Sequence, residues 1–243
     1  FVTARGWEDL SYLIYSYEKL SIPVDEDVIH QFLQHEDIAK DVAAYYDLYQ
    51  KYRDEYDISR ILAGQVKSGV FERLFRASFD ERLSCVELLT GGLHNLIAAA
   101  MEKDRITMDC YTFLKTYRKA LGALTDDATD SASWKLWQQQ TASLEEQFTQ
   151  KEKTGLVSPE DKKHHLEITR LLHSWTPDTV ASPKEAFQQV RQGFEQLSTQ
   201  RSETITRAST ALDHSFTFME DAFGEGQEMV IFVTELTMDP EIS

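Results

Sequence analysis

Cysteine is almost missing from this sequence. Cys85 and Cys110 are the only two, they share no C-x-x-C spacing, and neither a disulfide framework nor a zinc knuckle can be built from them. Glycine and proline are scarce too, at 10 and 5, which excludes collagen-like and low-complexity chains. No run approaches the ~18 uninterrupted apolar residues of a spanning helix, and no basic stretch leads into an apolar one at the start of the chain. The expectation is a cytoplasmic protein with reduced core cysteines and no membrane partner. Positive charge is the fourth deficit: 25 Lys+Arg stand against 41 Asp+Glu, a net charge of −16. Nucleic acid binds to basic surfaces that displace counterions, so this balance excludes a nucleic-acid partner. Only residues 58–122, with 10 Lys+Arg and 7 Asp+Glu, invite an anionic partner.

What the chain has in quantity is apolar side chains at helical spacing. With 42% hydrophobic residues over 243 positions, it can bury the core of one large domain or two small ones. Leu10, Ile14 and Tyr17 follow Trp7 on one face of a first helix over about 4–20, with Thr3 as its N-cap. Asp25 caps a second helix over about 26–34. Ile38, Val42, Tyr45, Tyr49, Tyr52 and Tyr56 step by four and three along a third, which predicts a buried seam. Gly64 and Gly69 mark a break. The capping box Ser78-Phe79-Asp80-Glu81 then opens a helix to about Asp104, and Thr107 starts another to about Leu121. The polar stretch 125–133 reads as a linker.

Trp134, Trp137, Thr141, Leu144 and Phe148 form a 3/4 stripe on a helix that stops near Gly155. Ser158-Pro159 and Ser182-Pro183 start two more, with proline at the first helical position. The second runs through Phe187, Val190, Phe194 and Leu197 to Phe223 if unbroken, with Gly224 as C-cap. That is about 60 Å at 1.5 Å per residue, and 130–153 is its expected antiparallel partner. Residues 225–237 are expected to be helical, with VIFVT as the competing strand. The fold class is therefore all-α: a small lid-like bundle (1–57), a central helical segment (58–124), and a bundle or arm with a long antiparallel helix pair (125–243).

The chemistry-bearing signal lies at the start. Arg5 follows the Thr3 cap and stands in the first helical turn, where the dipole disfavours a cation by roughly 0.3–1 kcal/mol unless an anion is near. Free N–H groups and a planar guanidinium both suit phosphate oxygens, although a solvated arginine is the commoner outcome. The segment Thr3-Ala4-Arg5-Gly6-Trp7-Glu8-Asp9-Leu10, with the Ile22-Pro23-Val24-Asp25 entry into the next helix, resembles the helical lid of MoxR-like AAA+ ATPases over about 1–57. The resemblance implies that Arg5 is the sensor 2 arginine that reaches the γ-phosphate of ATP. It implies ATP and Mg²⁺ as cofactors of an intact parent, none for this segment alone, and an upstream ATPase core as its attachment. It further implies a ring oligomer for the parent, while the segment itself is compatible with a monomer, and a protein client or partner for the helical extension. The alternative is a free-standing helical interaction module with no nucleotide link.

Departures from the family decide the chemistry. There is no G-x-x-x-x-G-K-[ST] loop and no apolar strand ending in Asp-Glu, so this chain alone is not expected to hydrolyse ATP. Gly91-Gly92 lies inside an apolar helix and reads as a packing or kink site, and Gly224-Glu225-Gly226 as a helix end. Asp27-x-x-His30 and Asp161-x-x-His164 have the spacing of paired metal ligands on one helix face, but lack the inward glutamates of a di-iron bundle. The acidic flanks of the tyrosine seam argue against base stacking.

Overall fold

The computed structural model describes residues 3–124 and 131–238. Within them every regular element is an α-helix: α1 (Ala4–Leu20), α2 (Glu26–Leu33), α3 (Glu36–Tyr56), α4 (Ile58–Leu62), α5 (Val70–Arg76), α6 (Phe79–Leu121), α7 (Ala132–Lys153), α8 (Pro159–Ser174), α9 (Pro183–Phe223) and α10 (Gln227–Met238). The chain divides into two compact units. One combines the chain up to Gly92 with the stretch from Asp213, and the other is built on Leu93–Leu212. The expected linker at 125–133 falls mostly outside the described residues, as do Phe1 and Val2.

In the first unit, α1, α2 and α3 pack around Leu10, Val24, Ile29, Leu33 and Ala39. Local chemistry fixes the starts of α1 and α2: the Thr3 hydroxyl accepts from the Gly6 N–H at 3.1 Å and the Asp25 carboxylate from the Val28 N–H at 3.0 Å. Gly64 and Gly69, both at positive φ, make the break between α4 and α5. The helix end at Phe223 is followed by Gly224 at φ +57, and 227–238 is helix. The Phe216 and Phe232 rings meet edge to face at 5.4 Å, and Arg82 of α6 pairs with the buried Glu228 of α10 at 3.1 Å.

Four helical stretches build the second unit. Tyr117 of α6 donates to the Ser133 carbonyl at 3.0 Å and meets Trp137 edge to face at 4.8 Å, which sets α7 antiparallel to α6. Lys162–Glu152 at 2.7 Å, His165 on Phe148 at 3.8 Å and His173–Glu145 at 2.8 Å set α8 antiparallel to α7. Arg201 pairs with Asp104, Phe194 meets Tyr111 at 6.1 Å and Phe187 underlies Arg118 at 5.4 Å. Those three contacts keep one register, so the long antiparallel pair is α6 with α9, an up-down-up-down arrangement. Ile106, Cys110, Leu114, Tyr117, Trp137 and Ile168 are among the residues at its core.

Three expectations need correction. α9 is one helix, but its antiparallel partner is α6 and not 130–153, as the contacts of Arg201, Phe194 and Phe187 with Asp104, Tyr111 and Arg118 show. The expected boundary between Asp104 and Thr107 does not exist. The Thr107 hydroxyl donates to the Lys103 carbonyl at 2.7 Å and stays inside α6, satisfied in the way mid-helix threonines are. The tyrosine seam is buried only at Tyr56; Tyr45 is exposed and reaches Glu87 at 3.0 Å. Of the described helices, α6 is also long and apolar enough by composition to cross a membrane. Its buried residues, Val86, Leu89 and Leu93 among them, are equally those of a core helix.

The charge is unevenly shared. Phe1–Gly92 with Asp213–Asp239 carries 10 Lys+Arg and 24 Asp+Glu, while Leu93–Leu212 carries 15 and 16. The second unit is close to neutral.

Candidate functional site

Arg5 stands where the sequence puts it, in the first turn of α1, with 88% of its side chain exposed. Among the described residues it pairs with Asp9, one turn on, at 3.8 Å, an exposed pair of the kind that contributes little. Gly6 explains the neighbouring letter of the motif. A Cβ there would lie 2.8 Å from the Phe32 carbonyl oxygen, so only glycine lets the start of α1 approach the end of α2 this closely. Thr3 and Gly6 therefore fix the geometry of the helix end, and Arg5 extends from it into solvent.

Metal-ligand spacing leads elsewhere. Asp161 is occupied at the start of α8, where it and Ser158 form a reciprocal capping box; the Ser158 hydroxyl and N–H hold its carboxyl below the usual range. His164, one turn on, is only 11% exposed and bridges two acids of α6: Nδ1 lies 2.8 Å from Glu102 and Nε2 2.8 Å from Asp109. Each ring nitrogen faces a carboxylate oxygen, a geometry in which both donate only as the imidazolium. The carboxylates sit on opposite sides of the ring and do not converge on a common point. Among the described residues no group of three or more His, Cys, Asp or Glu could hold a metal ion. Cys85 and Cys110 are free and buried in α6, and burial first, then neighbouring acids, pushes both thiols up to about 12. They are not nucleophiles near neutral pH.

Beside His164 the second unit opens a groove of about 690 Å³ between α6, α7 and α8. Thr112 and Thr116 line it from α6, and Gln140, Ser143 and Gln147 from α7. Phe148 and His165 form part of its wall as a parallel stack, 3.8 Å between centroids and tilted by 4°. Burial, more than the neighbouring charges, lowers the His165 pKa and so favours the neutral form of the stacked imidazole. Lys151 stands at the groove in the last turn of α7. Sequence reasoning missed this site, because Asp109, Gln140 and His164 lie on three helices and no local spacing joins them.

Comparison with protein-family models, with curated proteins and with solved structures finds no match to this chain.

Proposed function

We propose that the chain is the lid and helical extension of a MoxR-like AAA+ ATPase, in which Arg5 senses bound ATP and the helices behind it relay the change to a protein client. The observation that carries this reading is the exposed guanidinium of Arg5 at the capped start of α1, in a three-helix bundle with its own core. A helix N-terminus with an exposed arginine fork suits a phosphate supplied from outside the chain. In this reading the residues present do not hold ATP–Mg²⁺ by themselves: the sequence lacks a phosphate-binding loop, and among the described residues the ion pair of Arg5 is with Asp9. Binding and hydrolysis belong, in this reading, to an upstream core acting in the cytoplasm as part of a ring.

The test is ATP turnover by the full-length protein carrying Arg5→Ala. Loss of a charge-assisted contact to the γ-phosphate is worth about 1.5–3 kcal/mol, so turnover should fall at least tenfold while the fold is retained. Unchanged turnover removes Arg5 from the nucleotide site. A second reading, an interaction module without nucleotide, draws on Phe75, whose ring is 88% exposed beside the less exposed Phe71 and Phe79. It expects partner capture that Phe75→Ser abolishes and ATP leaves unchanged.

A further inference from the structure

We propose that the outward face of α1 is a self-association surface, on which a second copy of the chain docks with its own α1 antiparallel about a two-fold axis. The core of the three-helix bundle takes Leu10, Leu13, Ile14 and Tyr17 from one side of α1. At about 100° per residue, Glu8, Tyr12, Tyr15 and Lys19 run along the opposite side, spaced by four, three and four. All four are exposed. Tyr12 and Tyr15 are 54% and 56% exposed, and Trp7 and Leu20 flank them at 44% and 69%. Large apolar side chains gathered on the side of a helix away from its own core mark a surface that associates.

The order of the residues selects the occupant. In an antiparallel pair that crosses midway between Leu13 and Ile14, positions equidistant from that midpoint face each other across the interface. Glu8 then meets Lys19, Tyr12 meets Tyr15 and Trp7 meets Leu20, each pair formed twice, as an isologous interface requires. Opposite charges pair at both ends and aromatic rings meet at the centre. A parallel pair would set Glu8 against Glu8 and Lys19 against Lys19, and a polyanion or polycation would meet a charge of its own sign. Lys19 is held on the stripe, its ammonium 4.1 Å over the Tyr15 ring. The like-charged pair of this register is Asp9 with Glu18, at the edge of the face, and both are engaged: Arg5 pairs with Asp9 at 3.8 Å and Arg53 with Glu18 at 3.0 Å. A helix of 17 residues is about 25 Å long and 10 Å across. That is less than the ~1,200 Å² of a standard interface requires, so the dimer is weak and reversible. Nucleotide plays no part in this pairing, which stands or falls apart from the role of Arg5.

Sedimentation equilibrium of the full chain tests the pairing, at about 0.15 M salt so that the charge of −16 on each copy is screened beyond ~8 Å. A reversible monomer–dimer equilibrium is expected, with a dissociation constant of about 10–500 µM for an interface of this size. Glu8→Lys and Lys19→Glu each turn two attractive pairs into two repulsive ones, so each alone should weaken the dimer about tenfold or more. Mixed in equal amounts, the two variants regain both attractions and should form a heterodimer of near wild-type affinity, which a misfolded variant could not do. Phe75→Ser, on another exposed apolar surface, should leave the dimer unchanged. A wild-type chain that stays monomeric throughout that range, a dimer that either reversal leaves intact, a mixture that stays monomeric, or a dimer lost with Phe75→Ser would overturn the proposal.

Discussion

Gly91 and Gly92 sit side by side in α6, yet a methyl group added to each meets different surroundings. At Gly91 there is open space, while at Gly92 a Cβ would lie 2.9 Å from Leu62 Cδ1 and 3.1 Å from Ile58 Cγ2. Alanine in an exposed helix interior gains roughly 0.5–1 kcal/mol over glycine. Gly91→Ala should therefore raise stability by that amount in a urea titration, and Gly92→Ala should lose the gain to overpacking against α4. Glu81 gives a pH-dependent counterpart. Burial pushes its pKa up, but the Tyr56 hydroxyl at 2.6 Å and Arg73 at 2.8 Å outweigh that and leave it lowered. A carboxylate lowered in the folded state stabilises above its unfolded pKa, about 4.3, and that contribution disappears as pH falls through the folded value. Acid unfolding followed by circular dichroism should show a smaller loss of stability below pH ~4 in Glu81→Gln than in wild type, because the titrating group is gone. The sequence marks Ser78–Glu81 as a capping box, and half of it forms: Ser78 accepts from the Glu81 N–H at 3.3 Å. The Glu81 side chain instead turns to Tyr56 and Arg73, partners that spacing along one helix cannot reveal.

At the scale of helices, α1, α2 and α3 all end on a non-glycine residue in the left-handed region: Ser21 at φ 54, Gln34 at φ 49 and Asp57 at φ 53. Glycine adopts that conformation without the Cβ penalty. Gln34→Gly should stabilise the protein by about 0.5–1 kcal/mol, the range typical of cap improvements, and so raise its melting temperature; a decrease would mean that the Gln34 side chain makes a contact that matters more than its backbone. Helix starts were the most legible features of the sequence, since Thr3, Asp25, Ser158 and Ser182 act through bonds spanning three residues. The continuity of α6 was not legible, because Thr107 can cap a helix or bond back to the preceding turn, and burial against neighbouring helices decides. Helix pairing was only partly legible. The stripe on α9 showed which face is buried, but α6 and α7 both offer apolar faces, and the pairing of Phe194 with Tyr111 and of Arg201 with Asp104 selects α6.

Across the whole molecule, all-helical architecture follows from the 3/4 periodicity, and the net charge of −16 conceals a near-neutral second unit. The groove is lined from three helices, with Thr112 on α6, Ser143 on α7 and His164 on α8, which is why it could not be anticipated, whereas Arg5 at a helix start could. The nucleotide reading rests on that end of α1, where the first N–H groups have no partner one turn earlier. Hydrogen exchange of amides 4–8 in the full-length protein, with and without a non-hydrolysable ATP analogue and Mg²⁺, examines that end without relying on turnover. Slower exchange at these amides when the analogue is bound, abolished by Arg5→Ala, is the expected result. Identical exchange in both conditions, with the analogue shown to be bound, would contradict the assignment of Arg5 as the nucleotide sensor.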